Sequence, residues 1–514
     1  MKNLFLLFCI ITMPGFVFGQ LNTIQWERSY GGSDWEAATS IQQTSDSGYI
    51  IAGSTESFDS EVAGNHGGID YWVVKITKSG DLQWQKTLGG SQKDWATSIQ
   101  QTFEGGYIVC GYSNSLDGDI TGHIGDTSVT NVWIVKLSDS GTIQWQESLG
   151  GGIGDYGKSI QQTFDSGYIV AGYTLSWPYG PTDCLILKLS QSGSIQWQHS
   201  YGGSGSEEAY SIQQTPDTGY IFAGFSSSND GDVSGNHGDP DFWVVKLTSS
   251  GSITWQKSLG GSSGEYANSV TRTPDGGYIV AGTTYSDDGD VIGNHGYIDY
   301  WVVKLSSVGN LEWQKCFGGS YYEFATSVQN SPYGGYLVAG YTHSIDSEIT
   351  LNHGMYDYWV LHLSDSGDII WQKTYGGSNE DYANCIQTTY DGEFIIAGGS
   401  ANNNGDVTGN HGNWDFWIVK AGPATIPDTS VPTVNHIINN YALISISPNP
   451  TTGYISVISP YKVDILVCNL FGQLIKEARN TDNISVAEFP SGMYFIKLLN
   501  ESGELIFSGK IVKE

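Results

Sequence analysis

From residue 24 to residue 420 the chain alternates short apolar runs with glycine-rich turns, and the alternation itself repeats. The copy from Ile253 to Asn310 reads ITWQKSLGGSSGEYANSVTRTPDGGYIVAGTTYSDDGDVIGNHGYIDYWVVKLSSVGN. Its tryptophan recurs as Trp26, Trp84, Trp145, Trp197, Trp255, Trp313 and Trp371, at spacings of 58, 61, 52, 58, 58 and 58. Each copy predicts four strands. Strand a is SIQQT-like (Ser40 to Thr44), strand b GYIVAGY-like (Gly277 to Thr283), strand c YWVVKL-like (Tyr300 to Leu305), and strand d is the IxWQ segment. The a–b turns carry Asp-Gly-Gly or Asp-Ser-Gly and the c–d turns Ser-Gly or Val-Gly, with glycine supplying the positive φ of a hairpin. β-branched and aromatic residues fill the positions between them.

Four-stranded units of this length are propeller blades, whereas solenoid repeats are usually shorter. The first copy begins with strand d alone, Ile24 to Glu27, and the last stops after strand c, Trp417 to Lys420. The N-terminal strand therefore completes the seventh blade and removes the exposed sheet edges. The expected fold is all-β: a seven-bladed β-propeller with four strands per blade, its ring closed by the N-terminal strand, followed by a small C-terminal β-sandwich. The expected domains are a signal peptide (1–19), the propeller (20–421), a linker rich in Pro and Thr (422–441) and a C-terminal domain (442–514). The strand d tryptophans are expected to bury a large face against the next blade. The strand b glycines, at 53, 111, 172, 224, 282, 340 and 398, are expected to lie beneath a neighbouring aromatic ring.

Composition narrows the function. Lys and Arg number 22 against 53 Asp and Glu, a formal charge of −31. That balance excludes nucleic acid as a partner and docking on anionic lipid. Aromatic residues make up 13% of the chain, which separates it from disordered acidic sequences. At the N-terminus, Lys2 and the apolar run Leu4 to Thr12 read as a signal peptide, the run being too short for a mature membrane span. Val17 and Gly19 flank the cleavage point, leaving Gln20 as the mature start, and Phe8 before Cys9 argues against a lipoprotein. No later stretch is apolar enough for a transmembrane helix. Cys110, Cys184, Cys316, Cys385 and Cys468 form no CxxC pair and read as isolated buried thiols.

Strand order places the d–a and b–c loops at one end of the ring and only tight turns at the other. A binding site is expected on the loop-rich end. All variation in repeat length sits in the b–c loop. It runs 17 residues from the strand b glycine to the Asp opening strand c in five copies, 20 in the second (to Asn131) and 11 in the third. The loop's DGDVxGNHG pattern offers carboxylates at i and i+2: Asp117 and Asp119, Asp230 and Asp232, Asp288 and Asp290. These could hold calcium, the one cofactor to consider, or cap backbone N–H groups. The recurring His66, His237, His295, His353 and His411 supply one imidazole per blade, too few for a zinc site, and are expected to pack across their own loops. An acid follows every strand d tryptophan by ten residues: Glu36, Asp94, Asp155, Glu207, Glu265, Glu323 and Asp381. This carboxylate ring is a ligand candidate, although a residue required alike in every blade also serves the blade. Trp35, Trp95, Trp177, Tyr179 and Trp414 are candidates for stacking on sugars, and the short third loop leaves a gap in the rim. No phosphate-binding loop, HExxH or GxSxG motif is present, and no catalytic residue is assigned.

The c–d element, as in Val135 to Trp145, resembles the repeat of quinoprotein-type propellers, a likeness that implies architecture only. The tail resembles the type A sorting domain of type IX secretion cargo. It carries Ser447-Pro448-Asn449-Pro450 with Gly453, then Val467-Cys468-Asn469-Leu470-Phe471-Gly472-Gln473, Pro490-Ser491-Gly492-Met493-Tyr494, and the ending Lys510-Ile511-Val512-Lys513. The resemblance implies passage through the outer-membrane translocon of a diderm bacterium, removal of the tail by a sortase-like peptidase, and a product secreted or held at the outer-membrane surface. The leading functional expectation is a non-catalytic extracellular module binding a glycan or a protein. The alternatives are a carbohydrate-active enzyme using two carboxylates of the ring, and a structural surface scaffold.

Overall fold

In the computed structural model the described residues are 22–176, 180–349 and 351–423. In the C-terminal unit they are 445–447, 451, 453–458, 462–468, 474–490, 492–499 and 505–513. The signal segment, most of the expected linker, Trp177, Tyr179, Pro448, Asn449, Pro450 and Gly472 lie outside them. The chain divides into two compact units between residues 425 and 426.

The first unit contains seven four-stranded antiparallel sheets. In blade 1, strands a to d are Glu36–Gln43, Tyr49–Thr55, Asp70–Ile76 and Leu82–Leu88. Blade 5 repeats them as Glu265–Arg272, Tyr278–Thr284, Asp299–Leu305 and Leu311–Phe317. In blade 7, strands Asp381–Thr388, Phe394–Ser400 and Asp415–Pro423 are completed by Asn22–Tyr30, which pairs with the last of them, Trp26 opposite Lys420. The ring therefore closes as the sequence predicts. Every strand a carries a bulge, for example between Ala38 and Ser40, opposite the strand b glycine.

Burial follows from sheet stacking. Strands b and c are covered on both faces and are buried along their length, apart from the half-buried Tyr112, Tyr173 and Tyr341 of strands b, whereas strand d is the exposed outer edge. The cores lie between blades: Phe242 and Val244 of blade 4, for example, pack with Val280, Trp301 and Val303 of blade 5. The strand d tryptophans are only partly buried, each against a strand b aromatic of the next blade: five meet it edge-on, as Trp84 meets Tyr107 with centroids 5.8 Å apart, whereas Trp313 is tilted on Tyr336 and Trp371 stacks on Phe394. The fully buried tryptophans belong to strand c: Trp72, Trp133, Trp243, Trp301, Trp359 and Trp417. This corrects the expectation, because an edge strand always leaves one face of its ring to solvent. An added Cβ on the strand b Gly282 would strike the Tyr266 carbonyl at the bulge and come within 2.9 Å of the Phe242 ring. Such a ring from the preceding blade stands over five of the seven glycines. Val132 and Cys184 hold the equivalent place before blades 3 and 4.

Cys110, Cys184 and Cys316 are buried free thiols and Cys385 is half-buried. The second unit is built of a three-stranded and a four-stranded sheet sharing an apolar core that includes Ile455, Val467, Ile484 and Ile496. Gly453 accepts the Val486 N–H (2.7 Å), Tyr494 Oη donates to the Pro490 carbonyl (2.8 Å), and Gly492 pairs with Lys513 between neighbouring strands, which also hold Lys510.

Candidate functional site

The loop-rich end is organised by the carboxylate ring, and the ring is closed to solvent. Glu36, Asp94, Glu207, Glu265, Glu323 and Asp381 have no exposed surface and Asp155 has 2%. Each accepts the N–H of the glycine four residues before it, as Glu36 does from Gly32 (2.8 Å) and Asp155 from Gly151 (2.6 Å). Most also accept a hydroxyl from the end of strand b or just beyond it, such as Thr55 to Glu36 (2.7 Å) and Ser115 to Asp94 (2.9 Å). As placed, none of the seven offers an oxygen to a ligand. They lock the turn that feeds strand a.

Six of the seven ring acids face a second buried carboxylate from the preceding blade. Asp70, Asp183, Asp241, Asp299, Asp357 and Asp415 open their strands c with at most 1% of their surface exposed, and Asn131 stands in for them in blade 2. A glycine separates each pair. An added Cβ at Gly31 would come within 2.5 Å of Asp415 Oδ1 and 2.6 Å of Glu36 Oε2. Gly260 lies between Asp241 and Glu265 in the same way, so Gly260→Ala is expected to cost about 1–3 kcal/mol in urea unfolding. Five of these aspartates accept the backbone N–H and Nδ1 of the histidine four residues earlier, as His66 Nδ1 to Asp70 Oδ2 (2.7 Å) and His411 Nδ1 to Asp415 Oδ2 (2.6 Å). Each histidine is thus held by the aspartate of its own loop, and the Nε2 atoms of His66 and His237 also approach Asp119 and Asp290 of the next blade at 3.9 Å. Burial pushes the Asp70, Asp183, Asp299 and Asp381 carboxyls up to about 6.

The Asp-Gly-Asp carboxylates are exposed or half-exposed, but they too accept backbone N–H groups. Asp117, Asp230 and Asp288 accept the N–H groups of Ser91, Ser204 and Ser262 at 2.7 Å, tying the b–c loop to the d–a loop. Asp119, Asp232 and Asp290 accept Gly89, Gly202 and Gly260 N–H groups at 3.3–3.4 Å. Among the described residues no group of three or more His, Cys, Asp or Glu side chains is disposed to hold a metal ion.

What the loop end does present is aromatic. The residue after the ring acid is Ala37, Trp95, Tyr156, Glu208, Tyr266, Phe324 and Tyr382 in turn. Strand alternation points these half-buried side chains away from the locked acid, at the loop end of the innermost strands. Trp35 and Trp95 lie 5.2 Å apart, and Trp414 stacks on Tyr382 at 5.1 Å and 16°. A parallel bridge joins Trp35 to Trp414, so the two pairs form one arc across blades 7, 1 and 2. The arc continues through Tyr341, 4.7 Å from Tyr382, to Phe324. Tyr156 stacks on Tyr173 at 4.6 Å. The sequence reading thus located three of the collar's aromatics but missed Tyr156, Tyr266, Phe324 and Tyr382. Their signal was an aromatic residue directly after the ring acid in five of the seven copies.

Seven four-stranded sheets latched into a ring define a seven-bladed β-propeller. Residues 445–514 match the family model described as a secretion system C-terminal sorting domain, so the chain ends in a type IX secretion sorting domain and the protein is exported to the cell surface or beyond it. No curated protein matches the chain. Similar solved structures include the Neurospora crassa Pan2 WD40 domain (12% identity, 81% of this chain and 100% of that one, TM-score 0.44). Others are a fungal alcohol oxidase in complex with copper (11%, 96% and 99%, 0.44) and a glucose dehydrogenase (8%, 78% and 99%, 0.35). At these identities none bears on this chain's chemistry. No helix among the described residues is long and apolar enough to cross a membrane.

Proposed function

We propose that the protein is an extracellular, non-catalytic binding propeller whose aromatic collar holds a glycan or protein ligand, and whose tail is removed by a sortase-like peptidase after export. The supporting observation is the position after the ring acid. Five of its seven occupants are aromatic (Trp95, Phe324 and three tyrosines), and they stand at the loop end of the innermost strand of their blades. Aromatic rings held half-exposed by a rigid scaffold are the commonest anchors of binding energy. The carboxylates that a glycosidase would draw from the ring are buried and engaged with their own turns.

The test is to probe the purified protein against glycan and protein arrays, with and without calcium, while assaying the glycans for cleavage. Saturable binding without product is expected, and Trp95→Ala and Tyr382→Ala should each weaken it by about tenfold, the effect of losing roughly 1.4 kcal/mol of anchor energy. Product release, or binding untouched by both substitutions, would remove the collar from the account. Calcium-dependent binding would return the Asp-Gly-Asp loops to consideration as ligands.

A further inference from the structure

The channel below the collar is belted by the residue three positions after each ring acid: Thr39, Thr97, Lys158, Tyr210, Asn268, Thr326 and Asn384. The Thr and Asn members donate to a carbonyl of the next blade, as Thr97 to Gly157 (3.0 Å) and Asn268 to Ala325 (2.8 Å). Blades 3 and 4 break this belt with Lys158 and Tyr210, and blade 4 also carries Glu208, the one carboxylate in the collar. The two breaks in the belt and the collar's one carboxylate therefore fall in one sector.

Lys158 differs from the other inward lysines. Lys75, Lys188, Lys246 and Lys304 each reach an aspartate of their own a–b turn at 2.8–2.9 Å. The Lys158 ammonium has no such partner among the described residues. It lies 5.5, 5.5 and 5.7 Å from the ring centres of Tyr112, Tyr173 and Tyr210. Glu208 spends one oxygen on the Tyr210 hydroxyl (2.7 Å) and makes no salt bridge with Lys158. Lys158 and Tyr210 line an axial cavity of about 310 Å³, at the lower end of small-ligand sites and large enough for one or two sugar rings.

A charged donor and a charged acceptor that do not satisfy each other, set beside aromatic rings, fit a molecule with hydroxyls on its edge and C–H groups on its face. An anionic ligand would meet Glu208, and a cationic one Lys158. We infer that this throat and the collar position above it form a subsite for a neutral carbohydrate, with Lys158 donating to one ring hydroxyl inside the cavity, Glu208, at the collar and outside the cavity lining, accepting from its neighbour, and Tyr210 carrying the sugar's apolar face, while Tyr112 and Tyr173 back the Lys158 ammonium. The inference rests on the reading of the collar as a ligand platform and assigns that platform a ligand class.

The test is calorimetric titration of the full protein with cellobiose, chitobiose, mannobiose and galactobiose, with glucuronate and glucosamine as charged controls. Lys158→Thr installs the residue that blade 1 carries at the same position, so the ring should accept it without a change in melting temperature; Glu208→Ala also removes the acceptor of the Tyr210 hydroxyl, so it is paired with Glu208→Gln, which keeps an acceptor, and both are checked by melting temperature. Saturable binding of at least one neutral disaccharide is expected, weakened about tenfold or more by Lys158→Thr and by Glu208→Ala. Absence of saturable binding by every neutral sugar, unchanged affinity in Lys158→Thr, or preference for a charged control would overturn the subsite. A protein ligand lost with Trp95→Ala, in a chain that binds no sugar, would sink this inference and leave the collar standing. Sugar binding lost in Lys158→Thr but kept in Trp95→Ala and Tyr382→Ala would do the reverse.

Discussion

Replacing Trp301 by alanine is expected to cost about 3–5 kcal/mol, the cost of a large cavity in a core that cannot collapse. Trp301 has no exposed surface, its ring centre lies 4.5 Å from that of Phe242 in the preceding blade, and its Nε1 donates to Gln314 (2.8 Å). Losing the ring empties the junction between blades 4 and 5 and leaves the Gln314 amide without its donor. The same change at Trp255, half-exposed and touching Tyr278 edge-on at 5.8 Å, should cost only about 1–2 kcal/mol. Urea unfolding of the two variants reads the difference as a shift in midpoint at constant slope. Equal costs would mean that strand c does not carry the inter-blade core.

Asp183→Asn should stabilise the protein at pH 8 and do nothing at pH 4. Asp183 is buried, has no histidine because its loop is short, and neither of its oxygens has a partner. Burial, with Glu207 and Asp232 nearby, pushes its carboxyl up to about 6. A raised folded-state value means the folded protein holds the proton more tightly than the unfolded chain. The stability it contributes is complete below about pH 4 and is lost as pH rises through about 6. At pH 8 the buried charge is a net cost of roughly 1–3 kcal/mol, which the amide avoids. Blade 2 already makes this exchange: Asn131 occupies the same place and donates to the Ile124 carbonyl (3.0 Å). Asp70, Asp299 and Asp381 titrate in the same direction. Asp275 opposes them on the acid side. Burial works against its ionisation, but Lys304 and Thr273 hold it down to about 2, so its contribution disappears only as pH falls towards that value. Thermal melts from pH 3 to 8 should therefore peak near pH 4–5. A maximum near pH 7, or an Asp183→Asn variant no more stable than the parent at pH 8, would show that the junction acids are compensated.

The architecture was open to reading because it is written seven times. Repeat period, turn glycines and the unmatched strands at both ends are enough to count blades and to close the ring. Which tryptophan bears the core was not open to reading, because strand c and strand d each carry one in nearly every copy. Only the sheet order shows that one strand is interior and the other an edge. The carboxylate ring drew attention by its regularity, and regularity marked it as framework. The collar and Lys158 are harder to see, since they lie where copies disagree and strand alternation must first be known to tell which disagreements face the channel. The pairing of His66 with Asp70 was within reach, because NHG followed by Asp fixes a four-residue spacing in five copies.

The latch between Asn22–Tyr30 and Asp415–Pro423 also sets an order of assembly. Glu27 meets Trp417 across 390 positions of chain. At synthesis rates of roughly 5–20 residues per second, the first strand waits about 20–80 s for its partner to be made. Six blades can form locally as they emerge, but the seventh cannot form until the chain has been delivered almost to its end. Until then the two edges that the latch will join are both unpaired. A protein bound for export spends that interval as an open arc, and anything that captures the free N-terminal strand decides whether a ring forms at all.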